Sequence, residues 1–218
     1  MKLFIGAMHK WGLIMIIYDF FAGTGSATQA FEDAGHTVIK VELNEYFEAH
    51  ERDILTLTAD TLIAKYGQPD FIWASPPCTT FSVASCNKYW TPNGTPKNDK
   101  ALNGIKLVES TIKLIEQLNP LHGYIIENPR GMLRKQKIMT ALNRQTVTYC
   151  QYGENRMKPT DLWGYVAGWQ PRPHCKAGDS CHESAPRGSR TGTQGIKGAQ
   201  DRSRVPYELG LEILNAIK

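Results

Sequence analysis

Two short segments in the middle of this sequence carry reactive side chains on stiff frames: Ser75-Pro76-Pro77-Cys78 and Glu127-Asn128-Pro129. A thiolate attacks electron-poor carbon and forms a covalent adduct. A carboxylic acid held nearby can supply the proton that such an addition needs at a neighbouring heteroatom. Taken singly, each residue has a plainer explanation: a buried structural cysteine, or a glutamate that caps a helix or pairs with a cation. Together they suggest covalent catalysis on an unsaturated ring, provided that the fold brings them to one place.

The surrounding pattern predicts that it does. Residues 70–74 form an apolar run that ends at Ser75, and residues 123–126 form another that ends at Glu127. Two strands of a parallel sheet would deliver both groups to its carboxyl edge, and the two prolines would stiffen the turn that presents the thiol. Residues 13–18 suit a buried central strand; 37–41 suit a second strand, ending at Glu42. Ser26 and Gln29 predict a capping box for a helix to about Ala34, stopped by Gly35. Leu102, Ile105, Val108, Ile112, Ile115 and Leu118 predict one face of a long amphipathic helix. Residues 145–150 and 160–166 predict a closing hairpin. Pro206 opens a last helix with Leu209, Ile213, Leu214 and Ile217 facing inward. Alternating strands and helices of this kind predict an α/β fold, a mostly parallel sheet with helices on both faces.

Between the first strand and its helix stands Asp19-Phe20-Phe21-Ala22-Gly23-Thr24-Gly25-Ser26. A Gly-x-Gly turn there lets backbone approach a ligand and aims a helix N-terminus at it. Glu42, at the end of the next strand, could accept both hydroxyls of a ribose. A nucleoside-bearing cofactor is implied. A dinucleotide site prefers a third glycine at position 28, where Thr28 stands, and Asp19 at the strand end fits S-adenosylmethionine better. Asp53-Ile54 could place a carboxylate near an adenine, with a helix-capping aspartate as the alternative. The expected cofactor contacts are Asp19, Phe20, Ala22, Gly23, Thr24, Gly25, Ser26, Glu42, Asp53, Ile54 and Pro76.

At these residues the chain resembles the cytosine-C5 DNA methyltransferase family. Residues 19–25 are similar to its cofactor loop, Pro76-Pro77-Cys78 with Phe81-Ser82 to its nucleophile loop, and Glu127-Asn128 to its acid motif. Glu154-Asn155-Arg156-Met157-Lys158 resembles its Gln-x-Arg-x-Arg segment, with Glu154 in place of the glutamine. Whether Arg156 or Lys158 holds the base's O2 stays open. Ser203-Arg204-Val205-Pro206 is similar to its closing motif. The resemblance covers residues 14–164 and 203–218. It implies a Rossmann-like S-adenosylmethionine-dependent methyltransferase fold, DNA as substrate, and Cys78, Glu127, Arg156 and Lys158 as catalytic residues. The chemistry agrees: cytosine C5 is too weak a nucleophile for a methyl sulfonium until a thiolate adds at C6 and a proton is held at N3.

The predicted organisation is a catalytic Rossmann-like domain at 13–167, a small irregular target-recognition insertion at 168–202, and a C-terminal helix at 203–218 that returns to the catalytic domain. Family members usually carry a larger target-reading lobe, so the short insertion implies a short or degenerate site. It contains His174, Cys175, Cys181 and His182, four potential zinc ligands in an unfamiliar spacing; reduced thiols in a polar loop are the plainer alternative. Arg172, Lys176, Arg187, Arg190, Lys197, Arg202 and Arg204 could follow a phosphate backbone, or be a solvated linker. The polar stretch 79–100, with Lys88, Tyr89, Trp90, Lys97 and Lys100, could close over an extruded base.

Composition excludes little else. A balance of 25 basic and 21 acidic residues gives a net charge of +4, too weak to imply a polyanionic partner alone. Five cysteines, an odd number, argue against a secreted disulfide framework. With no run long enough to span a membrane, a cytoplasmic monomer is expected. The first dozen residues have no evident role, and Met15 is an alternative start. The small size suggests an economical genome, such as that of a phage or a restriction–modification element. Three rivals remain: an amino methyltransferase acting on adenine N6 or cytosine N4, whose motif matches Ser75-Pro76-Pro77; a catalytically inactive nucleic-acid-binding relative; and a nicotinamide-dependent oxidoreductase, disfavoured by Thr28.

Overall fold

A computed structural model describes residues 8–9, 12–184 and 198–217. A short hairpin, β1 (Met8–His9) with β2 (Gly12–Leu13), precedes a six-stranded sheet. The sheet comprises β3 (Ile16–Phe20), β4 (Thr37–Val41), β5 (Phe71–Ala74), β6 (Gly123–Pro129), β7 (Arg144–Thr148) and β8 (Pro159–Val166), in the order β4-β3-β5-β6-β8-β7. The first four are mutually parallel, whereas β8 runs antiparallel to both β6 and β7.

This topology decides where chemistry can occur. Parallel strands carry all their carboxyl ends to one edge. Because β8 is antiparallel, its first residues lie at that same edge, with Thr160 opposite Pro129. The end of β7 joins them through the pairing of Thr148 with Pro159. The segments after β3, β4, β5, β6 and β7, and the one before β8, therefore converge.

Alternate residues of the inner strands feed two cores, as the period of two requires. Tyr18, Phe20, Ile72, Ala74 and Ile126 pack on one face, with α2 (Ala59–Tyr66) and α4 (Asp99–Leu118). Ile17, Phe71, Trp73 and Ile125 pack on the other, with α1 (Gln29–Asp33) and α6 (Tyr207–Ile217). The α/β fold and the closing hairpin are as the sequence predicts. All four inward residues expected of the last helix, Leu209, Ile213, Leu214 and Ile217, are buried. No described helix is long and apolar enough to cross a membrane.

Three local expectations need correction. The capping box at Ser26 does not form: α1 begins after Thr28 with no side-chain cap, because the Ser26 hydroxyl accepts the Val205 N–H at 3.0 Å. The buried residues of α4 are Ala101, Val108, Thr111, Leu114, Ile115 and Leu118; Ile105 and Ile112 pack against the same core half-buried, while Leu102 is exposed. The helix is rotated because Gly104 abuts Thr80 and Phe81, where a Cβ would come within 2.8 Å of the Thr80 hydroxyl. The stretch after Cys78 is not a loose lid. It holds a short helix, α3 (Cys86–Tyr89), and its aromatic residues are core. Trp90 is buried, stacks on Phe81 with centroids 5.4 Å apart, and donates its indole N–H to Thr80 O at 2.6 Å. Tyr89 and Trp90 are thus unavailable to cover a base, whereas Lys88 and Lys100 stay exposed and Lys97 donates to Asn87 O at 2.9 Å.

Candidate active site

The glycine turn is fastened to the end of β4. Phe21, with φ +62°, and Ala22 both donate backbone N–H groups to Val41 O, at 2.8 and 3.2 Å. Gly23 N–H reaches the Glu42 carboxylate at 2.9 Å, and the other carboxylate oxygen accepts from Asn44 N at 2.8 Å. Gly25 has φ +71°, so its conformation favours glycine. Asp19 is buried beneath the turn. Its Oδ2 accepts from the Thr28 hydroxyl at 2.7 Å, while its Oδ1 has no partner. Thr28 therefore replaces a third glycine because it anchors this carboxyl. Burial pushes Asp19 up to about 7, against the opposing Thr28 hydrogen bond and Lys40 charge.

The remaining expected cofactor residues divide. Ala22 is buried within the turn, and Gly23, Thr24 and Ser26 are half-buried there. The Phe20 side chain belongs to the core, and only its backbone faces the site, accepting Ser75 N–H at 2.9 Å. Pro76 is buried, its carbonyl accepting Asn128 Nδ2 at 2.8 Å. Asp53 caps its own turn, accepting from Leu55 N at 3.0 Å, and Ile54 is a buried core residue. The capping alternative accounts for Asp53.

Cys78 follows directly. The Phe20–Ser75 and Asn128–Pro76 bonds tie its loop to β3 and to the acid motif. Its carbonyl accepts the N–H groups of Phe81 and Ser82, at 3.0 and 2.9 Å. Gly131 lets the two motifs touch: a Cβ there would lie 2.2 Å from Phe81 O. Cys78 is half-buried, and burial pushes its thiol up, with the Glu127 charge adding to the effect. Lys158, a backbone N–H and Arg202 pull it down.

Glu127 is buried and accepts from the Tyr149 hydroxyl at 3.0 Å. Burial raises its carboxyl, while Lys158, Tyr149 and Ser75 oppose. Lys158 sits at the start of β8 with φ +30°, a left-handed conformation that costs on the order of 1–3 kcal/mol in a non-glycine residue. Its ammonium lies 4.4 Å from the centroid of the Tyr149 ring and donates to Arg204 O at 3.1 Å. Burial lowers its pKa, and the charges of Glu127 and Cys78 push back. Arg156 pairs with the Glu183 carboxylate at 2.6 Å and lines one small crevice together with Lys158, Tyr149 and Arg202. Of the two candidate cations, Lys158 is the one whose charge reaches Cys78 and Glu127.

The fold thus assembles Cys78, Glu127, Lys158, the glycine turn and Glu42 at one sheet edge. The model of the C-5 cytosine-specific DNA methylase family matches residues 15–147. The chain belongs to this family. The match ends before Arg156 and Lys158. A probable DNA (cytosine-5)-methyltransferase of Frog virus 3 (isolate Goorha) is 29% identical over 92% of this chain and 99% of its own length. The methyltransferase EhMeth of Entamoeba histolytica shares the fold, with a TM-score of 0.51 at 12% identity over 73% of this chain and 55% of that one. The S. pombe Dnmt2 methyltransferase has a TM-score of 0.48 and 15% identity over 72% of this chain and 52% of its own. The chain spans about half the length of these solved structures.

Sequence reasoning missed Tyr149, the hydroxyl partner of Glu127. The signal was available, since a hairpin closing on β6 must bring the end of its first strand to the catalytic edge. It also misassigned one member of the Cys/His group. Cys175, Cys181 and His182 converge with Cys150, and His174 is exposed and outside the group. Neighbouring residues of an extended chain point opposite ways, so turning Cys175 inward turns His174 out. Of the basic residues near the insertion, Arg172 is engaged by Glu208 and Glu212, at 2.8 and 2.6 Å. Arg204 contacts Asp201 at 3.6 Å, and Lys176 is exposed. Arg187, Arg190 and Lys197 lie outside the described residues.

Proposed function

We propose that this chain transfers a methyl group from S-adenosylmethionine to C5 of a cytosine flipped out of duplex DNA, with Cys78 as the covalent nucleophile. The observation that carries the reading is geometric: Asn128 of the acid motif is bonded to Pro76 of the nucleophile loop, and the Tyr149 ring that bonds Glu127 also lies under the Lys158 ammonium. An amino methyltransferase needs neither a thiol nor a partnered acid, and this arrangement would have no purpose there.

The residues fit the methyl donor. Glu42 faces the glycine turn with its carboxylate in place for a ribose diol, and the lone Asp19 Oδ1 awaits a donor. When bound, S-adenosylmethionine supplies an electrophilic methyl on a sulfonium. The chain's residues do the rest. Cys78 gives its proton to solvent and forms the S–C6 bond, and the ring electrons move toward C5 while Glu127 gives its proton to N3. Burial keeps Glu127 protonated more readily than an exposed glutamate. Lys158 holds O2 and offsets the negative charge of the thiolate; Arg202 adds to the second effect. After C5 is methylated, its proton passes to solvent, which restores the double bond, expels the Cys78 thiolate and returns the N3 proton to Glu127.

We assign target reading to residues 168–202. In support, α5 (Ala199–Ser203) brings Arg202 within electrostatic reach of Cys78. Duplex DNA carrying 5-fluorocytosine tests the mechanism, because fluorine at C5 cannot leave as a proton does. A covalent protein–DNA adduct that requires S-adenosylmethionine is expected. Cys78→Ser should abolish methylation and leave cofactor binding intact, and retained methylation in that variant would sink the proposal.

A further inference from the structure

The second chemical cluster of the molecule lies behind the Tyr149 wall of the active site. Cys150 occupies the turn Tyr149–Tyr152 that follows β7. Residues 170–176 cross this turn without helix or strand, bringing Cys175, and then Cys181 and His182, against it. The Sγ atoms of Cys150 and Cys175 are 3.1 Å apart, and those of Cys150 and Cys181 are 3.6 Å apart. His182 Nδ1 lies 3.8 Å from Cys175 Sγ and 3.5 Å from Cys181 Sγ. All four ligand atoms fall within 4.8 Å of one another.

We propose that Cys150, Cys175, Cys181 and His182 form a structural zinc site that fastens the insertion to the catalytic domain. A tetrahedral zinc with its usual bond lengths sets S–S edges of about 3.8 Å and S–N edges of about 3.6 Å. Four of the six separations run from 3.1 to 3.8 Å, the Cys150–Cys175 pair being the tightest, and the other two fall within 4.8 Å, so small shifts of the side chains would bring all four atoms onto one ion. Three sulfurs and one imidazole are a soft set that selects zinc over hard cations. Four protein ligands leave no open position, so the role is structural. On binding, each thiol releases its proton to solvent as its S–Zn bond forms, and nothing is oxidised or reduced.

The surroundings give the ion a task. Residues 170–176 have no regular structure; besides the Arg172 guanidinium contacts with Glu208, Glu212 and Gln151 O, Arg172 N–H donates to the Tyr152 hydroxyl at 2.9 Å and Cys175 N–H to the Thr148 hydroxyl at 3.3 Å. Directly after His182, Glu183 donates its N–H to Asn155 O at 2.9 Å and pairs with Arg156. A chain without regular structure pays full conformational entropy for such a path, and a metal bound only by the folded state offsets that cost. The site therefore links the insertion to the segment 149–158, which carries both Tyr149 and Lys158.

The full chain, purified under reductant and without chelator, should contain one zinc per molecule by elemental mass spectrometry. After chelation, cobalt(II) should bind in one equivalent and give the intense visible bands and sulfur charge transfer of a tetrahedral thiolate site. Cys150→Ser or His182→Ala should weaken zinc by more than about a hundredfold, the upper end of what losing an outer-shell partner costs. His174→Ala should leave zinc affinity unchanged. Where a variant does not fold, the cobalt spectrum of the unaltered chain decides. A weak octahedral spectrum, no stoichiometric binding, a Cys150–Cys175 disulfide surviving in the reduced preparation, or equal losses from His174→Ala and His182→Ala would each overturn the assignment. None of these readouts depends on methyl transfer.

Discussion

Asp19 makes the stability of the protein, free of cofactor, depend on pH in an unusual direction. Its carboxyl is fully buried and held at about 7, against an ordinary value of 3.8. The folded state therefore binds this proton more tightly than the unfolded chain does. Stability linked to the group is complete below the unfolded value and is lost as pH rises toward and through the folded value. A displacement of about three units corresponds to roughly 4 kcal/mol in total, of which about 2–3 kcal/mol falls between pH 5 and 8.5. Asp19→Asn removes the titration and keeps an oxygen for the Thr28 hydroxyl. It also buries an amide N–H group where Oδ1 has no partner, a pH-independent cost of about 1–3 kcal/mol. Urea unfolding of both proteins across this range isolates the effect, because the other titrating groups cancel in the difference. The variant should gain on the wild type by about 2–3 kcal/mol from the acid to the alkaline end. A difference that does not change with pH would show that Asp19 titrates in the ordinary range, and the account of its burial would be wrong.

Glu127→Gln should slow single-turnover methyl transfer by a factor on the order of a hundred or more; an unchanged rate would make Glu127 structural. Lys158→Met should move both limbs of the pH profile of kcat/KM upward. The working state carries one proton on the Cys78–Glu127 pair, so the rate rises as the second proton leaves and falls as the last one does. The Lys158 charge lowers the pKa of both groups, so its loss raises both, and limbs that stay fixed or move apart would exclude it from the site.

The parts of the site legible in the sequence are those that one local pattern could fix. A buried apolar run that stops at a reactive residue places that residue at a sheet edge, and parallel pairing collects such edges; hence the glycine turn, Glu42, Cys78 and Glu127 come together as expected. Features set by packing between distant segments were not legible. Tyr89 and Trp90 look like a polar loop's exposed aromatics until Phe81 and Thr80 are seen to receive Trp90. Ser26 has the spacing of a helix cap, yet its oxygen goes to Val205, 179 residues away. Cys150 gave no hint of a link with Cys175 because a strand and its return separate them.

Those long-range ties also explain how a family member can carry so short an insertion. The matched region, 15–147, contains the thiol, the acid and the glycine turn but not the ammonium that acts on both. Lys158 is held by Arg204 O, and the next residue, Val205, donates to Ser26 beside the turn. Helix α6 then locks against α1 and the turn before it: a Cβ on Gly210 would lie 3.8 Å from Ala30 Cβ and 2.8 Å from Ala27 O. The chain after residue 202 thus joins the glycine turn to Lys158. On the proposed function, shortening what lies between 167 and 203 should spare methyl transfer as long as Arg204 and Val205 still reach these two partners. Contraction of the insertion should therefore affect which DNA is chosen before it affects the chemistry.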